Sequence, residues 1–166
     1  MSRAILANDR RSPLLVVVVG PTGVGKSHCL RRLETWMRGL RWDDVKGRWP
    51  GIPNVRRISA SDYFDLRRSE PRRAEAVRNA CLLLLDDAGA EVDRYRRGES
   101  TEAFRNLLEE RIDCWTVIST NLPPEHWVAA WDARVADRFL RNSEIIQLWD
   151  VPSYAVWLRE QKRDRA

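Results

Sequence analysis

The run Gly20-Pro21-Thr22-Gly23-Val24-Gly25-Lys26-Ser27 fits GxxxxGK[ST] and lies between an unbroken aliphatic segment and a helix-like one. That context turns a pattern into a phosphate-binding expectation. The glycines let successive backbone N–H groups converge on anionic oxygens, and a helix starting at the turn adds the positive end of its dipole. Lys26 is then expected on the β and γ phosphates of a nucleoside triphosphate, Ser27 on a magnesium ion, and His28 directly beside them. A second group of the required type stands in Leu82-Leu83-Leu84-Leu85-Asp86-Asp87, where two carboxylates close an apolar segment. Asp86 is the expected magnesium-side residue. Asp87, one residue further out, suits a water-orienting base aimed at the γ phosphate, a role open also to Glu91 if the next turn curls back. Neither His28 nor His126 has Cys or carboxylate partners at ligand spacing, so no metal is expected on either.

The surrounding periodicities supply the elements that must hold these residues. Leu14 to Val19 reads as a strand buried on both faces of a parallel sheet, and Leu30, Leu33 and Met37 recur at helical spacing from Gly25 to Arg38. Arg41 to Pro53, rich in Trp, Gly and Pro, reads as a connection. Val55 to Ser59 is expected as a second strand, leading into a helix capped near Ser61. Pro71 opens a further helix carrying Ala74, Val77 and Ala80, which delivers the chain into a third strand, Cys81 to Leu85. Phe104, Leu107, Leu108 and Ile112 mark an amphipathic helix opening near Ser100. Trp115 to Ser119 is the fourth strand, closed by the turn Asn121-Leu122-Pro123-Pro124; another helix and a strand over Glu144 to Leu148 complete the series. Such alternation demands right-handed crossovers around a mostly parallel sheet, with functional loops at the carboxyl ends of the strands.

Length and composition bound the rest. A chain of 166 residues is one domain by size, with 43% apolar and 32% charged residues, and its longest apolar runs are too short to span a bilayer. Residues 1–13 form a tail without the apolar stretch of a secretory signal, so a cytoplasmic location is expected. Cys29, Cys81 and Cys114 lack a CxxC pair and sit beside apolar segments, which predicts buried, reduced thiols. The excess of 29 Lys and Arg over 24 Asp and Glu gives a net charge of +5, compatible with a polyanionic partner without requiring one.

Three segments together resemble a known family: Leu83-Leu84-Leu85-Asp86-Asp87-Ala88-Gly89-Ala90-Glu91, Val117-Ile118-Ser119-Thr120-Asn121-Leu122-Pro123, and Arg134-Val135-Ala136-Asp137-Arg138-Phe139-Leu140. They look like the AAA+ core of the DnaC/DnaI-type helicase loaders and IstB-type transposition ATPases, over residues from about 14 to about 154. The resemblance implies an α/β, three-layer P-loop NTPase fold of the AAA+ ASCE type: a central, mostly parallel five-stranded sheet in a core over residues 14–150, then a short tail or helix over 151–166 with the lid domain largely absent. It implies ATP and Mg2+ as cofactors, Asn121 as the sensor holding the attacking water, and Arg138 first or Arg134 second as an arginine finger acting across a subunit boundary. That last role implies a homo-oligomer. Read without the resemblance, Asn121 is a strand-end turn residue and Arg134 a surface arginine paired with Asp137. The chain departs from the family at Ser153-Tyr154-Ala155, where relatives carry Ser-Tyr-Arg.

Weaker signals concern DNA. Arg56, Arg57, Arg67 and Arg68 flank the second strand and its helix beside Tyr63 and Phe64, a basic and aromatic mixture suited to single-stranded DNA or, equally, to a solvated face. The tryptophans, Trp42, Trp49, Trp127, Trp131 and Trp157 among them, are expected in the core or at subunit contacts rather than as base-stacking groups. The leading functional expectation is an ATP-hydrolysing protein of DNA replication that assembles on single-stranded DNA and helps load a replicative helicase, with no membrane partner. An IstB-like ATPase delivering a transposase to duplex DNA, a small P-loop phosphotransferase and a non-hydrolysing helicase blocker remain open beside it.

Overall fold

In the computed structural model, residues 14–39, 54–89 and 98–163 are described. Glu91, Trp42, Trp49, the tail over 1–13 and the connection over 41–53 lie outside them. The strands are β1 (Leu15–Val19), β2 (Val55–Ser59), β3 (Leu82–Ala88), β4 (Trp115–Thr120) and β5 (Ser143–Gln147). They form one sheet in the order β2-β3-β4-β1-β5, with every pairing parallel. The helices are α1 (Lys26–Gly39), α2 (Ala60–Ser69), α3 (Pro71–Arg78), α4 (Glu99–Glu110), α5 (Trp127–Ala130), α6 (Ala133–Asn142) and α7 (Tyr154–Arg163).

Alternation along the strands builds two apolar layers, because successive side chains leave a strand on opposite faces. Val16, Val18, Leu82, Leu84, Trp115 and Val117 pack on one face against Leu30, Leu33 and Met37 of α1. Leu15, Val17, Val19, Leu83, Leu85 and Ile118 pack on the other against α2, α4, α5 and α6. An aromatic group fixes that second layer: Phe139 meets Trp127, Trp131 and Phe104 edge-on at ring-centroid distances of 5.0, 5.4 and 5.9 Å. Edge-to-face pairs of this kind add about 0.5–1.5 kcal/mol each beyond the area they bury. The sandwich is therefore three layers, and its register brings the ends of β1, β3 and β4 level on one rim.

Several local expectations are corrected. Ser59, not Ser61, caps α2, its side chain accepting from the Asp62 amide at 3.0 Å. The cap falls there because the last strand residue already has the extended backbone that a cap requires. Ile112 lies beyond the end of α4 and is exposed, since the helix stops at Glu110. Cys29 and Cys81 are exposed and Cys114 half-buried, rather than buried as expected. Cys29 sits on the outer side of α1, while Cys81 and Cys114 each precede the first buried residue of a strand. Among the described residues no helix is long and apolar enough to cross a membrane.

Candidate functional site

The glycine loop leaves β1 at Gly20 and enters α1 at Lys26. Its turn needs left-handed backbone at Gly23 and Gly25, with φ of 87° and 96°, which only glycine adopts without strain. The loop thereby curls over the rim and places the N-terminus of α1 at the mouth of a cleft of about 1000 Å³. That cleft is shared by the loop, by Asp86 and Asp87 from β3, by Ser119 from β4 and by Asn121 directly after it.

Lys26 is 6% exposed and spends its ammonium on the loop itself. Its Nζ donates to the carbonyl oxygens of Gly20 and Pro21 at 2.7 and 2.8 Å and to Oδ1 of Asn121 at 2.6 Å. Burial lowers its pKa from the ordinary value, while the nearby charges of Asp87 and then Asp86 oppose that fall. Asn121 turns its amide the other way, donating from Nδ2 to Oδ1 of Asp87 at 2.9 Å. Lys26, Asn121 and Asp87 thus form one polar chain across the cleft.

Asp86 heads a second chain. Its Oδ1 accepts from the hydroxyls of Ser27 at 3.0 Å and Ser119 at 2.6 Å, in a residue only 7% exposed. The Ser27 hydroxyl and the buried Asp86 carboxylate are hard oxygen donors, the kind a magnesium ion takes through one or two protein groups plus phosphate oxygens. Ser27 and Asp86 therefore fit the ion that the sequence implies. When bound, magnesium would neutralise charge on the phosphate oxygens.

The difference between the two aspartates comes from a bulge. The pairing of β3 with β4 runs in register through Leu85↔Ile118, then shifts so that Ala88 meets Thr120. Asp87 takes a left-handed φ of 57°, a conformation tolerated by Asp far better than by branched residues. Its amide donates to the Ser119 hydroxyl at 2.9 Å, and Thr120 donates to the Ala88 carbonyl at 2.7 Å. The extra residue turns Asp87 out into the cleft while Asp86 stays against the sheet. Ser119 is the residue that sequence reasoning passed over: its hydroxyl serves both aspartates at once.

Arg57 is held by acidic side chains. Its Nε donates to Glu34 of α1 at 2.9 Å, and Nη1 lies 3.7 Å from Asp86 Oδ2. It lies on the α1 face of the sheet, behind Asp86, while Arg56 does not. Alternation along β2 explains the separation, since Arg56 points to the opposite face and donates to Asn54 at 3.1 Å. Arg67 is exposed, and Arg68 lies 3.5 Å from Glu99.

Sequence comparison adds nothing to this picture: no protein-family model matches the chain, and no curated protein matches it. Solved structures match it in fold. The replication initiator DnaA bound to AMPPCP and single-stranded DNA aligns with a TM-score of 0.63 and 17% identity, over 97% of this chain and 48% of its own. The DnaC helicase loader aligns with a TM-score of 0.64 and 18% identity, over 89% of this chain and 85% of its own. The fold is that of a AAA+ core. DnaI aligns similarly, at 0.57 and 19%, over 83% of this chain and 71% of its own. The chain spans about half the length of the DnaA structures it matches.

In this fold, Arg134 and Arg138 do not reach the glycine loop. They line a separate surface hollow with Arg105, Glu109 and Asp137, between α4 and α6. Asp137 pairs with Arg141 at 2.6 Å, one helical turn on, and not with Arg134 as the helix spacing suggested. The i,i+4 orientation wins because it aligns the two side chains along one face.

Proposed function

We propose that the chain binds and hydrolyses Mg-ATP, assembles as a homo-oligomer on single-stranded DNA, and acts in DNA replication as a helicase loader. The polar chain Lys26–Asn121–Asp87 is the observation that carries the hydrolytic part. Lys26 rests on neutral carbonyl and amide oxygens, and an anionic γ-phosphate oxygen is the stronger acceptor for an ammonium. Moving Lys26 onto the phosphate releases Asn121 Oδ1 toward a water, while Nδ2 keeps hold of Asp87. Asp87 then accepts the water proton as the water oxygen bonds to the γ phosphorus and the bond to the bridging oxygen of ADP breaks.

Asp87→Asn is accordingly expected to bind Mg-ATP near wild-type affinity and to hydrolyse it about 100-fold more slowly, the lower range for loss of a positioned base. Steady-state phosphate release beside calorimetric binding checks this. Unchanged turnover in Asp87→Asn, with loss in Glu91→Gln, would transfer the base to Glu91.

The DNA and loader parts of the reading draw on the fold shared with DnaC, DnaI and a DnaA that was solved on single-stranded DNA. Phosphate release with no DNA, with single-stranded DNA and with duplex DNA tests them. Stimulation by the single strand alone supports the loader reading, and preference for duplex favours delivery of a transposase instead.

A further inference from the structure

The described aromatic residues of the second layer are buried, yet two at the rim are not. Tyr154 and Trp157 of α7 are 60% and 45% exposed, and their rings stack with centroids 5.6 Å apart and planes 25° from parallel. A stacked pair left facing solvent beside the phosphate cleft has no packing role to explain it. Its place is also fixed: the Tyr154 amide donates to the Gly23 carbonyl of the glycine loop at 2.9 Å, and the Trp157 amide donates to the Ser153 carbonyl at 3.0 Å. Gly23 is in close contact with the same turn, since a Cβ there would lie 3.1 Å from Ser153 Oγ. The Tyr154 ring lines the cleft together with Thr22, Gly23, Val24 and Lys26.

Accepting the glycine loop as the triphosphate site, we infer that Tyr154 and Trp157 form a stacking wall for the nucleobase and make the site prefer purine over pyrimidine triphosphates. The phosphates occupy the N-terminus of α1, so the base lies beyond the loop, where Tyr154 presents the largest aromatic face among the described lining residues and Trp157 stacks on it. A π face reads ring area and polarisability rather than edge donors, so a two-ring base gains more from it than a one-ring base, and adenine and guanine gain alike. Trp157, expected from sequence in the core or at a subunit contact, is thereby assigned to the ligand.

Calorimetric titration of the full chain with the magnesium complexes of ATP, GTP, CTP, UTP and inorganic tripolyphosphate tests the inference. Wild type is expected to bind ATP and GTP about tenfold more tightly than CTP and UTP, the scale of one base stacked on an aromatic ring. Tyr154→Ala and Trp157→Ala should each cut the purine-to-pyrimidine ratio to about two and draw all four nucleotides toward the tripolyphosphate value, while Tyr154→Phe keeps the wild-type ratio. Equal affinity of wild type for all four nucleotides, or an undiminished ratio in both alanine variants, overturns the stacking wall and leaves the triphosphate site standing. Failure of wild type to bind any of the five ligands overturns the triphosphate site and this inference with it.

Discussion

Lys26→Ala is expected to lower Mg-ATP affinity about a thousandfold, the scale of two charge-assisted hydrogen bonds lost from a site whose described lining holds no other Lys or Arg. Among the residues lining the cleft, Lys26 is the cation whose head group lies at the glycine loop; Arg57 stands behind Asp86 and is already engaged by Glu34. The substitution leaves the carbonyls of Gly20 and Pro21 and the Asn121 amide oxygen without a donor, but it also removes a charge that is 6% exposed. Those two terms oppose each other, so cooperative thermal unfolding should persist while binding disappears. Calorimetry reads the affinity and circular dichroism the fold. A folded variant that holds Mg-ATP as tightly as wild type would place the nucleotide elsewhere.

That prediction was already available from the loop Gly20 to Ser27, because everything it needs is contiguous: glycines for the turn, a lysine at the helix start, a hydroxyl after it. The same holds for the strands. Continuous aliphatic runs gave β1 and β3, and the shorter stretch from Trp115 gave β4, to within a few residues, and the side-chain period of two explains why each feeds both apolar layers. Where reading failed, the cause lies outside any local window. The bulge that separates Asp86 from Asp87 depends on Ser119, which meets them from 33 and 32 positions away. Nothing in Asp86-Asp87 alone signals that one stays against the sheet and the other turns out. The setting of Arg57 was hidden for a related reason: its partner Glu34 lies on α1, and only the packing of that helix against β2 brings the two together. The exposed cysteines show the limit of reading burial from apolar neighbours, since a strand's last residue before its first buried position has the same neighbours and a different environment.

The arrangement of the arginines leads to the second large effect. Arg138 and Arg134 lie in the hollow between α4 and α6, away from the glycine loop of their own chain. A cation that completes a γ-phosphate site from there must do so from a neighbouring subunit, and in phosphoryl transfer such a finger is worth a factor of about 10³ to 10⁵ in turnover. Arg138→Ala is therefore expected to keep Mg-ATP affinity within a few-fold of wild type and to lose about a thousandfold in turnover. Arg138 is half-buried and no ion pair holds it among the described residues, whereas Arg141 is paired with Asp137, so the substitution disturbs little of the fold. The decisive measurement mixes Arg138→Ala with Lys26→Ala. The first keeps an intact pocket and the second an intact finger, so a boundary between them rebuilds one competent site from two inactive proteins. Activity should rise from near zero to a maximum at intermediate ratios and fall again toward either pure variant. A flat, inactive profile at every ratio, from a protein that stays monomeric with ATP and single-stranded DNA, would remove Arg138 from catalysis and with it the homo-oligomer as the working unit.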